Sequence, residues 1–377
     1  MLQTPTLSAY HPTTAEIDLA AFNENITKLK KLVKKSMLLA VIKTNAYGHG
    51  TVRIGEEAVK AGAESLGVTT VEEGALLREN GIDVPIHILS SITPEQASDV
   101  VRYELTASVF SIRLAKAISE VAVKQRKTIP VHLKLDTGLH RFGLEPHEVL
   151  SFCEVCYELP GLWWEGVYTH FSSVDEGDWE TTERQFNLFI DTVTMLDEQG
   201  FNFAIRHVGG STIAIERPDM HLDMVRPGVA LFGYQPAARQ RDIISLKPVM
   251  ALKSNLIYVR ELPPNTPVGY GGSYVTRTTK KIAVVPIGHG DGYSRALSNK
   301  GKMLIGGKRV KIIGTISLDQ TLVDVTDVPD VTEGEEVILL GEQGGDEITA
   351  EDVADWMGSI VDEVVSGFTE RIRRVYV

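Results

Sequence analysis

Between residues 18 and 34, apolar side chains recur at three- and four-residue steps (Leu19, Phe22, Ile26, Leu29, Val33), with Asp18 placed to cap the amino end. That spacing predicts an amphipathic helix. Residues 37–42 follow as a nearly unbroken apolar run, which suits a strand buried on both faces of a parallel sheet. Helical stretches then alternate with short apolar runs at 65–69, 86–89, 105–109, 131–135, 166–168 and 204–208. Alternation of this kind up to about residue 235 predicts an α/β fold with an N-terminal (β/α)8 TIM-type barrel. Past residue 246 the texture changes. Strand-like runs at 251–259, 282–285, 310–313, 322–325 and 337–340 succeed one another with turn residues between them, and one helix is left in the tail at 350–357. The reading is a barrel domain over 1–240, with residues 1–12 packing on the second domain, and a C-terminal mainly-β domain over 241–377. The boundary falls within 235–247, and no internal repeat or low-complexity segment interrupts the chain.

A length of 377 residues suits two domains of unequal size. The formal net charge of -12 repels nucleic-acid phosphates and anionic lipid, so neither is expected as a partner and small-molecule chemistry is favoured. No apolar run approaches the ~20 residues of a membrane span, and the first positive side chain is Lys28, so a cytoplasmic protein is expected. Cys153 and Cys156 stand in CxxC spacing with no second Cys or His pair nearby, which reads as helix packing; no metal is expected.

Lys43 stands at the carboxyl end of the 37–42 run, which in a barrel is the catalytic rim. Position alone leaves two readings: an amine offered to an aldehyde, or a lysine snorkelling from a strand end. The wording of the segment separates them. Residues 40–50, Ala-Val-Ile-Lys-Thr-Asn-Ala-Tyr-Gly-His-Gly, resemble the pyridoxal 5′-phosphate lysine signature of the alanine racemase family, departing mainly at Thr44. Segments 134–143, 165–171, 224–229, 269–274 and 318–320 resemble the same family in the same order.

The resemblance implies a fold-type III racemase whose Lys43 binds the cofactor aldehyde and acts as one of two bases. Tyr47, Ser211, Gly228 and Val229 would bind the cofactor phosphate, hydroxyls and backbone N–H groups being suited to an anion. Leu89 would join the cofactor-binding set. Arg226 would face the pyridine nitrogen, donating without giving up its proton, with His170 behind it. Arg141 would meet the substrate carboxylate. Lys134 matches a lysine that some members carbamylate; unmodified beside Arg141 it would be repelled, so a carbamate or a bound anion is expected. Tyr270 would be the second base, on the opposite face of Cα, because one base cannot easily serve both faces. Tyr270, Leu318 (through its backbone) and Asp319 would come from the partner subunit, which implies a homodimer.

Several positions depart from the family pattern: Leu139, Gly209-Gly210, His289, Thr315, Ser317, Leu318 and Glu370. A carboxylate at 370 would repel a phosphate, so Glu370 is expected to point elsewhere. The leading reading is interconversion of L- and D-alanine, supplying D-alanine for peptidoglycan. A racemase of shifted specificity, for serine or lysine, is the alternative, since the departures cluster at the family's substrate entrance. A decarboxylase sharing this domain plan would need a carboxyl-terminal cysteine, and both cysteines lie in the barrel region.

Overall fold

The structure, a computed structural model, describes residues 12–377; residues 1–11 of the stretch expected to pack on the second domain lie outside them. Two compact units are present, one over Ala20–Pro248 and one formed by Val249–Val377 with the residues up to Leu19. The first described strand, β1 (Thr14–Ile17), belongs to the latter.

Within Ala20–Pro248 the strands are β2 (Met37–Val41), β3 (Ser65–Val68), β4 (Ile86–Ile88), β5 (Thr106–Val109), β6 (Ile129–Lys134), β7 (Leu162–Tyr168), β8 (Ile205–His207) and β9 (Met224–Val225). All pairings between them are parallel and run in sequence order, and β9 returns to β2 through Met37↔Met224. Between β8 and β9 the Asp223 N–H donates to Arg206 O (3.1 Å) and the Arg226 N–H to Gly209 O (2.9 Å). The result is a nearly closed eight-stranded barrel. β3, β4 and β5 are buried along their whole length, which is why they read as apolar runs rather than alternations. The helix Leu19–Val33 buries Phe22, Ile26, Leu29 and Val33, the stripe that its periodicity marks. Each such side chain, taken fully out of water, contributes roughly 1.5–3 kcal/mol.

The other unit is built on a mostly antiparallel sheet of ten strands, in the order Tyr258–Leu262, Lys280–Val285, Thr321–Asp324, Lys308–Ile312, Lys302–Ile305, Glu336–Gln343, Met250–Asn255, β1 and Arg373–Tyr376, with Asp346–Ile348 paired to Glu336–Gln343. β1 pairs antiparallel with Met250–Asn255 and parallel with Arg373–Tyr376, so β1 and the last strand together close one edge of the sheet. Two expectations need correction. The run 251–259 is not one strand: after Asn255 the chain leaves Glu336–Gln343 and joins Lys280–Val285, with the Ile257 N–H donating to Val284 O (3.0 Å). The tail holds a second helix, Val361–Ser366, besides Ala350–Met357, whose capping box at Thr349 and Asp352 is intact. Among the described residues no helix is long and apolar enough to cross a membrane.

Candidate active site

Lys43, Leu89, Lys134, Arg141, His170, Ser211, Arg226, Gly228 and Val229 all lie at or just beyond the carboxyl ends of barrel strands. Lys43 follows β2 and opens a turn of unusual hand. Thr44, Asn45, Ala46 and Tyr47 all have positive φ, between 51° and 56°, so the chain makes a left-handed helical turn. For residues with a Cβ that conformation costs roughly 1–2 kcal/mol each, and a β-branched threonine is among the least suited to it. Strain of this order persists where neighbours over-determine the backbone. Here the Ala46 N–H donates to Ile42 O (3.0 Å), Gly48 N–H to Thr44 O (3.1 Å) and Gly50 N–H to Asn45 O (2.9 Å). The Glu73 carboxylate accepts from the Thr44 and Asn45 N–H groups (2.5 and 3.3 Å). Phe232 stacks on His49 and tilts against Tyr47, ring centres 4.4 and 5.1 Å away. Lys43 Nζ lies 5.9 Å from the centre of the Tyr47 ring.

Tyr47, Ser211 and Gly228 converge. Ser211 Oγ accepts from the N–H groups of Gly228 (3.0 Å) and Ala230 (3.4 Å), which leaves its own O–H available to donate. The Val229 N–H, first in its 310 turn, has no partner among the described residues. Leu89 packs over Gly67, where an added Cβ would come within 2.8 Å of it.

Arg226 is buried, and its guanidinium is anchored at both Nη atoms. Nη1 meets His207 Nδ1 (2.8 Å), while Nη2 donates to Thr169 O (2.8 Å) and Val208 O (3.2 Å) and meets His170 Nδ1 (3.2 Å). Burial lowers its pKa to about 10, so it stays protonated at neutral pH. Because arginine only donates, the His207 proton must sit on Nε2, 2.8 Å from His132 Nδ1. His132 therefore carries its own proton on Nε2, facing Glu165 Oε2 at 3.3 Å. Burial holds both histidines neutral, with His132 lowered to about 3 and His207 well below its ordinary value. Gly166 makes room for this chain, since a Cβ there would lie 2.5 Å from the His132 ring. Tyr168 stacks on His207 with ring centres 4.7 Å apart.

Lys134 is fully buried, donates to Leu135 O, and lies over the rings of Phe142 and Tyr168. Burial lowers its pKa to about 7, against the opposing pull of Asp136. Asp136 Oδ1 caps the N–H groups of Gly138, Leu139 and His140, shaping the loop that carries Arg141. The Arg141 guanidinium lies over the Phe142 ring, 5.2 Å from its centre.

In the β unit Tyr270 is 72% exposed, between Gly269 and Gly271, both at positive φ. A Cβ at Gly269 would approach Thr315 N to 3.2 Å, which places the Tyr270 segment against the loop before Leu318. Leu318 O accepts from Gly290 N–H (2.9 Å), and Asp319 pairs with Arg371 (2.7 Å), which also reaches Asp291 (3.1 Å). Glu370 is exposed.

Comparison with known proteins fits this geometry. The family models "Alanine racemase, N-terminal domain" and "Alanine racemase, C-terminal domain" match residues 17–236 and 249–376. The chain belongs to the alanine racemase family. An alanine racemase of Halothermothrix orenii is 38% identical over 366 residues, 97% of each chain. The solved alanine racemase of Clostridium difficile 630 superimposes with a TM-score of 0.93 at 35% identity, over 98% of this chain and 97% of that one. That of Bartonella henselae, solved with covalently bound pyridoxal phosphate, superimposes with a TM-score of 0.88 at 25% identity, covering 98% and 100%. Glu73, His132 and His207 belong to no segment that carried the family resemblance. The one signal for the histidines in the sequence is a polar residue set inside an apolar strand run.

Proposed function

We propose that this chain is a pyridoxal 5′-phosphate-dependent racemase that interconverts L- and D-alanine in the cytoplasm, supplying D-alanine for peptidoglycan. The observation that carries the reading is the grouping of Lys43, Arg226 and the Tyr47–Ser211–Gly228 cradle on one barrel rim in a member of this family. The residues present fit the cofactor. Ser211 O–H and Val229 N–H are donors without protein partners among the described residues, beside a glycine that admits the Tyr47 hydroxyl. The Arg226 Nε–H likewise has no acceptor among them. When bound, the cofactor supplies an electron sink that acidifies the substrate Cα–H.

Lys43 Nζ would hold the cofactor and move the Cα proton on one face; Tyr270 Oη would move it on the other. Arg226 would hold the ring nitrogen by donation while keeping its proton, which restrains the sink and disfavours reprotonation away from Cα. Arg141 and the Leu318 backbone would orient the substrate carboxylate, with Lys134 and Asp319 in support. The division of labour follows the two segments: residues 1–240 bind the cofactor and residues 241–377 deliver Tyr270 to the partner subunit of a homodimer.

A chiral assay on L-alanine, L-serine and L-lysine tests the reading. Conversion of L-alanine to equal amounts of both enantiomers is expected. Release of carbon dioxide, or racemisation of another amino acid in place of alanine, would overturn it.

A further inference from the structure

We infer that Glu73 is the positioning residue for Lys43, holding from outside the left-handed turn that starts at the lysine; this rests on reading Lys43 as the cofactor lysine. Glu73 lies in the first turn of the helix Val71–Glu79, whose amino end is capped by Thr70 Oγ1 on the Glu73 N–H (3.1 Å). A glutamate at that place ordinarily folds back onto its own helix cap. Here the carboxylate reaches two strand ends instead. Oε1 accepts from the N–H groups of Thr44 (2.5 Å) and Asn45 (3.3 Å), and Oε2 from Thr69 N–H (3.0 Å) and Thr69 Oγ1 (3.4 Å). Among the described residues no Lys or Arg pairs with it, so its charge is directed wholly at those N–H and O–H donors.

The two N–H groups it takes are those the turn cannot satisfy. A helical turn of either hand leaves its first N–H groups without internal partners, and the internal ladder here begins only at Ala46 N–H to Ile42 O. The same two residues, Thr44 and Asn45, open the strained stretch. Without the carboxylate the backbone there loses its outside anchor and can relax toward right-handed or extended conformations. Lys43 stands at one end of the turn and Tyr47 at the other, so relaxation would turn the amine away from its working position, although Glu73 itself bonds only to backbone N–H groups and to Thr69.

The test compares the parent holoenzyme with Glu73→Ala, Glu73→Gln and Glu73→Ala/Thr44→Gly. Turnover is expressed per bound cofactor, and amide exchange is measured over residues 43–50. Glu73→Ala is expected to lower kcat by roughly 10–100-fold, the range for a displaced catalytic group, with KM for L-alanine little changed and exchange at Thr44 and Asn45 accelerated. Glu73→Gln retains one accepting oxygen and should lose only a few-fold. Glycine at 44 adopts positive φ without a Cβ penalty, so the double variant should recover much of the loss. If Glu73→Ala keeps parental kcat per cofactor and parental exchange, or only lowers Tm, Glu73 is a helix-end residue and the inference is wrong. A parent that does not racemise alanine sinks the functional reading, while exchange at Thr44 and Asn45 still decides the role of Glu73.

Discussion

Gly228 shows how one missing side chain can make room for another: a Cβ there would sit 2.4 Å from Tyr47 Oη and 3.2 Å from its ring carbon. Gly228→Ala must push aside either the tyrosine or the loop that presents the Val229 N–H. Cofactor affinity should fall about 10-fold or more, the effect of losing ~1.4 kcal/mol, and titration of the visible cofactor band would measure it; an unchanged affinity would show that the cradle tolerates the methyl group. Lys134 makes a second prediction. Its folded pKa of about 7 lies below the ordinary 10.5. The unfolded chain therefore binds the proton that the folded chain refuses between these values, and stability rises with pH across that window. The full difference is roughly 5 kcal/mol as an upper bound. Lys134→Met should flatten this rise in denaturant unfolding of cofactor-free protein between pH 7 and 10. A carbamate or bound anion on the parent lysine would be revealed by a parent curve already flat.

At the scale of strands, the chain Arg226–His207–His132–Glu165 runs across β6, β7, β8 and the residue after β9, and every proton direction in it follows from the arginine. Glu165→Leu removes the last acceptor and strands the buried His132 Nε2–H, a loss of about 1–3 kcal/mol, whereas Glu165→Gln keeps an accepting oxygen and should cost less. Denaturation of both variants, with nitrogen NMR of the imidazoles, checks this; equal stability would mean that water replaces the carboxylate. Such a relay is hard to read from sequence because its partners lie 75 and 33 residues apart. Glu73 and Thr44, 29 apart, pose the same difficulty. The barrel strands were mostly legible, since burial on both faces leaves apolar runs. β9 was not, because Met224–Val225 offers only two residues. β1 and Arg373–Tyr376 were missed for a related reason: these short strands pair only with partners far along the chain. Lys302–Ile305 was missed as well, although it is hairpinned to Lys308–Ile312. Lys43, Arg226 and Ser211 were singled out through local wording, and the structure puts all three at the carboxyl ends of barrel strands; the network behind Arg226 left no such wording.

For the molecule as a whole, acid is the predicted weakness. His87, His132 and His207 are all held neutral by burial, their pKa values lowered from 6.5. The unfolded chain gains protons below that value while the folded chain does not, so stability is lost as pH falls from 6.5 toward 3, by up to ~1.4 kcal/mol per pH unit for each histidine. Denaturant unfolding at pH 7 and pH 5 should differ accordingly, and equal midpoints would contradict the burial of these rings. Assembly supplies the last prediction. Tyr270 and Leu318 are 72% and 53% exposed, large apolar groups that a single chain leaves in water although two stretches expected to act in catalysis carry them. If a partner subunit covers and uses them, then Lys43→Ala and Tyr270→Phe are defects in different halves of one composite site. Each variant alone should lose activity, roughly 10²–10⁴-fold for the missing tyrosine base. Mixed and allowed to exchange subunits, half of the dimers become mixed, and each of these holds one intact site and one with both defects. Activity should therefore return to about a quarter of the parental value. If proven exchange gives no recovery, both bases act within one chain and the shared-site assembly is wrong.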